Sequence, residues 1–119
     1  MKAQPLKELN KTEIAVILDA MKSHMFNTGR SSARMILTDY IKIFTFRNEA
    51  KLDGMGMEHI YYSLISKANQ LEKWNTHGEV MDLAQFINLK REEFQQSFYR
   101  IYIKKEAPTA ATVSASTNI

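Results

Sequence analysis

Four polar side chains near the C-terminal end of the sequence could hydrogen-bond to nucleic acid: Lys90, Arg91, Gln95 and Gln96. Arginine and glutamine match the base edges of guanine and adenine in the major groove, and lysine binds phosphate oxygens. We therefore predict that Arg91, Gln95 and Gln96 read bases and that Lys90 contacts a phosphate. This assignment requires all four residues to lie on the outward face of one helix.

A second candidate contact lies between Thr28 and Arg34, where a glycine turn precedes hydroxyl groups and arginines. The free N–H groups at a helix N-terminus bind anions, and arginine pairs with phosphate. On a DNA-binding protein, Arg30, Ser31 and Arg34 would hold a backbone phosphate. The segment lacks the G-x-x-x-x-G-K-[ST] pattern of a nucleotide-binding loop, so an ordinary helix start explains it better than a dedicated phosphate site.

The sequence contains little that indicates catalysis or metal binding. It has no cysteine, which excludes disulfides, thiolate metal sites and cysteine nucleophiles. Its three histidines, His24, His59 and His77, fall in different segments without the H-x-x-x-H spacing of a helical metal site. No G-x-S-x-G or G-x-G-x-x-G motif is present. We predict that the chain is not an enzyme and holds no metal and no cofactor.

The composition fits one small domain. The chain has 119 residues, 45% of them hydrophobic, and a formal net charge of +3. This charge permits contact with nucleic acid but lacks the dense basic clusters of a purely electrostatic binder. No apolar run approaches the ~20 residues needed to cross a bilayer, and no secretory signal is readable at the N-terminus. We expect no membrane contact and a cytoplasmic location.

The expected organisation is a single helical domain over residues 1–106 and a tail over residues 107–119. The tail is uncharged and consists mainly of Ala, Thr and Ser. Such a composition does not bury enough apolar surface to order itself, so we expect the tail to be flexible. The fold class expected for the domain is all-α, with four to five helices.

Capping residues and apolar spacing predict the first and third helices. Asn10 followed by Glu13 is a capping box, and the first helix should end at residues 27–29. A break at residues 53–56 should precede a third, strongly amphipathic helix over residues 57–71, which the stretch Asn75 to Gly78 would close.

The second helix is less sharply defined. Ser31 or Ser32 should cap its N-terminus. Residues 40–46 are rich in β-branched and aromatic side chains, so a strand is an alternative there, although helical spacing favours a helix. The apolar face of this helix would contain Ala33, Ile36, Leu37, Tyr40, Ile41 and Phe44.

The last two predicted helices cover residues 79–87 and 91–104. Between them, Asn88 tolerates the positive φ of a tight turn, and Ala84 is small enough to lie where two helices cross. With these features, residues 80–98 resemble a helix-turn-helix unit. The apolar residues that the unit would turn inward are Leu89, Phe94 and Phe98.

The resemblance implies that the second helix of the unit enters the major groove of DNA. The helix over residues 57–71 occupies the place of the leading helix in winged-helix proteins, which extends the unit to about residues 57–104. No wing hairpin is readable after it, so the resemblance is to a wingless domain and not to a particular family. Because small DNA-binding domains often dimerise, a homodimer on double-stranded DNA is expected.

Two functions follow from these patterns. The first is a small helix-turn-helix DNA-binding protein that regulates transcription or replication. The alternative is a small helical adaptor or inhibitor, of a kind that viruses and mobile elements encode, which binds a protein partner and no nucleic acid. Glu92 and Glu93 would repel phosphates at the start of the second helix, which favours the alternative. Tyr62 and Trp74 are the aromatic residues expected at such an interface.

Overall fold

The computed structural model of the chain describes residues 2–71 and 74–105. Within those ranges it contains four α-helices, one isolated antiparallel bridge and no strand. The all-α fold class is confirmed, as is the helical state of residues 40–46. The tail predicted for residues 107–119 lies outside the described residues. The elements are α1 (Lys11–Phe26), α2 (Arg30–Phe46), a 3₁₀ turn (Arg47–Glu49), α3 (Gly54–Gln70) and α4 (Trp74–Lys105).

Helix α1 has the boundaries that the sequence predicts. Asn10 Oδ1 accepts a hydrogen bond from the Glu13 N–H at 2.8 Å, and Glu13 Oε1 accepts one from the Asn10 N–H at 2.9 Å. This capping box satisfies backbone donors that a helix N-terminus otherwise leaves free. The helix ends at Asn27, whose N–H donates to the His24 carbonyl at 3.0 Å.

Helix α2 begins earlier than predicted. Gly29 is its N-cap, in an extended conformation, and no side chain caps the helix. Ser31 and Ser32 lie in the first turn, so the capping role predicted for them is wrong. Glycine is a favoured N-cap residue, and Arg30 has a higher helix propensity than serine, so the helix starts before the serines.

The predicted apolar face of α2 overlaps only in part with the face that packs on the core: Ile36 is buried and Tyr40 packs against the core, as predicted. The buried residues of this helix are Ile36, Asp39 and Ile43. Asp39 points inward because His59 of α3 provides a partner, with His59 Nδ1 lying 2.6 Å from Asp39 Oδ2. A buried carboxylate needs such a partner to offset its loss of solvent. The predicted apolar residues that remain exposed are Leu37, Ile41 and Phe44.

Helix α3 begins at Gly54, inside the segment that the sequence predicts as a break. Asp53 caps it, since Asp53 Oδ1 accepts a hydrogen bond from the Gly56 N–H at 2.8 Å. A Cβ on Gly56 would lie 3.2 Å from Asp39 Oδ1 and 3.3 Å from the Leu52 side chain. Glycine at position 56 therefore permits the close approach of α3 to α2 and to the preceding loop.

Helix α4 is a single helix of 32 residues. Residues 80–98 lie within it, so the predicted helix-turn-helix unit is wrong, and so is the break predicted over residues 75–78. Asn88 does not form a turn, because the one non-glycine residue with positive φ in the described chain is Arg47. Asn88 Oδ1 instead accepts a hydrogen bond from Arg91 Nη2 at 2.8 Å, along one face of the helix.

The continuity of α4 has a simple cause. From residue 79 to residue 105 the sequence contains no glycine and no proline, and Leu89, Lys90 and Arg91 are good helix formers. Gly78 lies within the first turns, where its cost of about 1 kcal/mol relative to alanine is tolerated. Despite this length, neither α4 nor any other described helix has a stretch apolar enough to cross a membrane.

The core lies between α1, α3 and α4. Helices α1 and α4 each pack along α3 and make few contacts with each other, while α2 packs mainly on α1. The N-terminal segment closes one end, because Ala3 and Leu52 exchange backbone hydrogen bonds of 2.9 and 2.8 Å. The Asn48 side chain fixes the same segment by donating to the Leu6 carbonyl at 2.9 Å. The largest fully buried apolar side chains are Leu6, Ile14, Ile17, Met21, Ile43, Leu52, Met57, Ile60, Leu64 and Ile87.

Candidate functional site

The residues predicted to read DNA bases all lie on α4. Arg91 is half-buried, and its guanidinium donates to Asn88 Oδ1 through Nε at 3.2 Å and Nη2 at 2.8 Å. Gln95 and Gln96 are exposed. Because α4 is continuous here, no separate recognition helix crosses a preceding one, which is the arrangement that a helix-turn-helix uses to enter the major groove.

The residues predicted to contact phosphate are divided between α4 and α2. Lys90 Nζ lies 5.3 Å from the centre of the Phe86 ring and 3.9 Å from Glu93 Oε1, so its ammonium group already makes a cation–π contact and a long contact with a carboxylate. The other three occupy the exposed first turns of α2, on a different helix. They are Arg30, Ser31 and Arg34.

The two aromatic residues predicted at an interface lie on α3 and α4. Tyr62 of α3 is 56% exposed, which confirms its predicted exposure, and its ring meets the Tyr61 ring edge-on at 5.3 Å. Trp74 is the first residue of α4, and its side chain lies outside the described part of the structure. A single exposed tyrosine is ordinary at a protein surface, so Tyr62 alone does not define an interface.

A more extensive apolar surface lies on α2 and consists of Leu37, Ile41 and Phe44, which we call the α2 face. Their exposed fractions are 44%, 53% and 56%. Spacings of four and three residues place the three side chains in one row along the helix. Isolated exposed apolar residues are common, but a contiguous row of large ones is typical of an interaction site.

The C-terminal end of the α2 face is ordered by aromatic and cationic contacts. The rings of Tyr40 and Phe44 stack with their centres 6.2 Å apart. The Arg47 guanidinium carbon lies 5.2 Å from the centre of the Phe44 ring, at a distance typical of a cation–π contact. Arginine beside exposed aromatic side chains is a composition that protein interfaces favour.

Positive charge lies at both ends of the α2 face. Arg34 and Arg30 continue the row toward the N-terminus, three and seven residues before Leu37, and Arg47 follows it at the other end. In the described residues, none of these three arginines forms an ion pair with a carboxylate. The complement of this surface is an apolar patch bordered by carboxylates.

The three histidines lie on three different helices, and one of them, His59, contacts α2. His59 of α3 contacts Asp39 of α2, as described above. His24 of α1 is near His59, and its Nδ1 atom is buried without a hydrogen-bond partner. Burial, and secondarily the charge of His59, lower the pKa of His24 below its ordinary value. His77 Nδ1 lies 2.8 Å from the Ala68 carbonyl oxygen.

Among the described residues, no group of three or more histidine or acidic side chains is arranged to hold a metal ion. The contact between Asp39 and His59 instead ties the inward face of α2 to α3. It thereby fixes which side of α2 is turned away from the protein.

Comparison with protein-family models, with curated proteins and with solved structures gives no match to this chain. Its function is therefore inferred from its own surface.

Proposed function

We propose that this protein is a small helical protein–protein interaction module, an adaptor or inhibitor that binds its partner through the α2 face. The observation that carries the proposal is the exposure of Leu37, Ile41 and Phe44 in one row. Burying a fully exposed side chain of this size contributes about 1.5–3 kcal/mol. Because these three are 44%, 53% and 56% exposed, a partner that covers them gains roughly half of that from each. Their position on a helix gives them a fixed spacing before the partner arrives, which lowers the entropic cost of binding.

The partner that fits this surface has an apolar contact area with carboxylates at its edges. The centre of the contact would be the apolar row, and its rim would pair with Arg30, Arg34 and Arg47. Rim charges of this kind mainly speed association and exclude wrongly charged partners, whereas the buried apolar centre determines affinity. Binding is therefore expected to weaken moderately, and not to disappear, when salt is raised.

Binding of DNA through α4 has weaker support. The guanidinium of Arg91 is engaged with Asn88, and Lys90 lies beside Glu93 and the Phe86 ring. Contacts to phosphates also impose a steep loss of affinity with rising salt, which an apolar contact does not. Salt dependence therefore distinguishes the two functions.

The proposal is tested by affinity capture from nuclease-treated extract of the native host, with wild-type protein and two variants as baits. Ile41→Ser removes the centre of the α2 face. Met55→Ser is the matched control, because Met55 is 50% exposed on α3 and lies outside that face. We expect a partner protein that wild type and Met55→Ser retain at raised salt and that Ile41→Ser loses. Identical captured proteins from all three baits would contradict the proposal.

A further inference from the structure

An open groove of about 590 Å³ lies between α1 and α4. Its lining includes the apolar side chains of Val16, Leu83 and Phe86, of which Val16 and Phe86 are half-buried. The groove exists because α1 and α4 both pack on α3 and make few contacts with each other. A further helix laid between them would contact both, in the way that amphipathic helices occupy apolar grooves.

The groove is bordered by negative charge. Glu8 and Glu13 lie on the side of α1, and Glu79 and Asp82 lie on the side of α4. The Glu13 carboxylate is used by the α1 capping box. The other three acids form no ion pair within the described residues. The groove therefore has the two properties that the α2 face requires of its partner, an apolar lining and a carboxylate rim.

We infer that the occupant of this groove is the α2 face of a second copy of this chain. The apolar row Leu37, Ile41 and Phe44 meets the apolar lining, while arginines at the ends of the row meet the acidic rim. The inference rests on the proposed function, because it names the partner that the α2 face binds. It is carried by the match of apolar surface and opposite charge between two surfaces of one chain.

The two surfaces are different parts of the molecule, so the contact is heterologous. Each copy offers one α2 face and one groove, and each can therefore bind two neighbours. Such contacts generate an open filament, or a ring if the rotation between neighbours closes. The homodimer that the sequence predicts for a DNA-binding protein stops at two copies and is a different assembly.

The test is sedimentation velocity of the purified full-length chain at increasing concentration, with variants that each remove one of the two surfaces. Ile41→Asp places a charge in the α2 face and leaves the groove intact. The double variant Glu79→Arg with Asp82→Arg reverses the groove rim and leaves the α2 face intact. Met55→Asp is the control at an exposed site outside both surfaces. All four substituted residues are exposed, so we expect each variant to fold. The helical circular dichroism signal of each variant checks this.

We expect wild type and Met55→Asp to form species that grow with concentration, while the α2-face and groove variants each remain monomeric. An equimolar mixture of those two variants should form a dimer and stop there, because only one intact face and one intact groove can meet. Higher salt should shift the wild-type species toward monomer. A mixture that stays monomeric would overturn the inference, as would surface variants that associate like wild type.

A wild-type chain that is monomeric at every concentration would also overturn it. That result leaves the proposed function standing if Ile41→Ser still loses a captured partner, because the α2 face would then bind a different protein. If capture is also independent of Ile41, the proposed function fails as well. The two experiments together separate these cases.

Discussion

At the scale of single residues, the decisive contact is the one between Asp39 and His59. The sequence places Asp39 in a mostly apolar stretch of α2, where an acid ordinarily marks the solvent side of a helix. In the structure Asp39 instead lies on the inward side of α2, because His59, twenty residues later, supplies a partner 2.6 Å away. No local pattern links these two residues, which is why the orientation of α2 could not be predicted from the sequence.

This contact predicts that two aspartate-to-alanine substitutions lower the free energy of unfolding by different amounts. Asp39→Ala should lower the free energy of unfolding by about 1–3 kcal/mol, because it leaves a nitrogen of the half-buried His59 ring without its partner. Asp19→Ala is the matched control, since Asp19 pairs with Lys67 at 2.9 Å but its side chain is 61% exposed. Loss of an exposed pair should cost less than about 1 kcal/mol. Urea denaturation measures both, and equal losses would contradict the role given to Asp39.

The lowered pKa of His24 predicts a pH-dependent stability. The unfolded chain takes up a proton at this histidine near its ordinary pKa of about 6.5, whereas the folded chain takes it up only at lower pH. The stability that uncharged His24 provides is therefore complete above the ordinary pKa. It is lost as pH falls from there through the pKa of the folded state.

Urea midpoints measured at about pH 7.5 and about pH 5.5 test this expectation, because protonation of His24 lies within that interval in the unfolded chain. His24→Gln should show a smaller fall in midpoint than wild type, since glutamine does not titrate. Equal falls for the two proteins would show that other groups account for the pH dependence.

At the scale of elements, the local sequence signals predict some helix boundaries correctly and others wrongly. The cap predicted at Ser31 or Ser32 and the break predicted over residues 75–78 are wrong. The capping box of Asn10 and Glu13 predicts the start of α1 correctly, because its atoms lie within one helical turn. The turn predicted at Asn88 is wrong, because asparagine occurs both in turns and in helix interiors. The side-chain contact with Arg91 and the continuous course of α4 show that Asn88 lies in a helix interior. The presence or absence of a turn at Asn88 could therefore not be decided from that residue alone.

A continuous helix and a turn at position 88 predict opposite orders of stability for the variants Asn88→Ala and Asn88→Gly. In a helix interior, Asn88→Ala should be more stable than Asn88→Gly by up to about 1 kcal/mol, because alanine has the higher helix propensity. At a turn with positive φ the order would be reversed, because glycine adopts that conformation without strain. Chemical denaturation of the two variants measures the difference. A more stable glycine variant would restore the two-helix interpretation.

The orientation of α2 predicts that alanine substitution of two isoleucines, two positions apart, lowers the stability of the protein by different amounts. Ile43 is 0% exposed and Ile41 is 53% exposed. Ile43→Ala should cost about 2–5 kcal/mol through lost burial and the cavity that it leaves. Ile41→Ala should change stability by no more than about 0.5 kcal/mol, as is usual for surface positions. Thermal unfolding of both variants gives the comparison, and a large loss from Ile41→Ala would place that side chain in the core.

At the scale of the whole molecule, the sequence predicts the fold class but not the two surfaces proposed for interaction. Helical spacing of apolar residues and capping residues suffice to predict an all-α domain. The α2 face and the groove between α1 and α4 arise from how the helices pack, and neither is visible as a motif. Leu37, Ile41 and Phe44 read as an ordinary helix face in the sequence, and only their exposure in the folded chain distinguishes them from a core.

The central claim is that the α2 face contacts another protein, and photo-crosslinking in the native host tests it most directly. A benzophenone amino acid replaces Ile41 in one variant of this chain and Met55 in a second, control variant. Cells that produce each variant are irradiated. We predict a discrete protein adduct from position 41, with another copy or with a different protein, and none from position 55. Equal adducts from both positions, or crosslinks from position 41 only to nucleic acid, would contradict the claim.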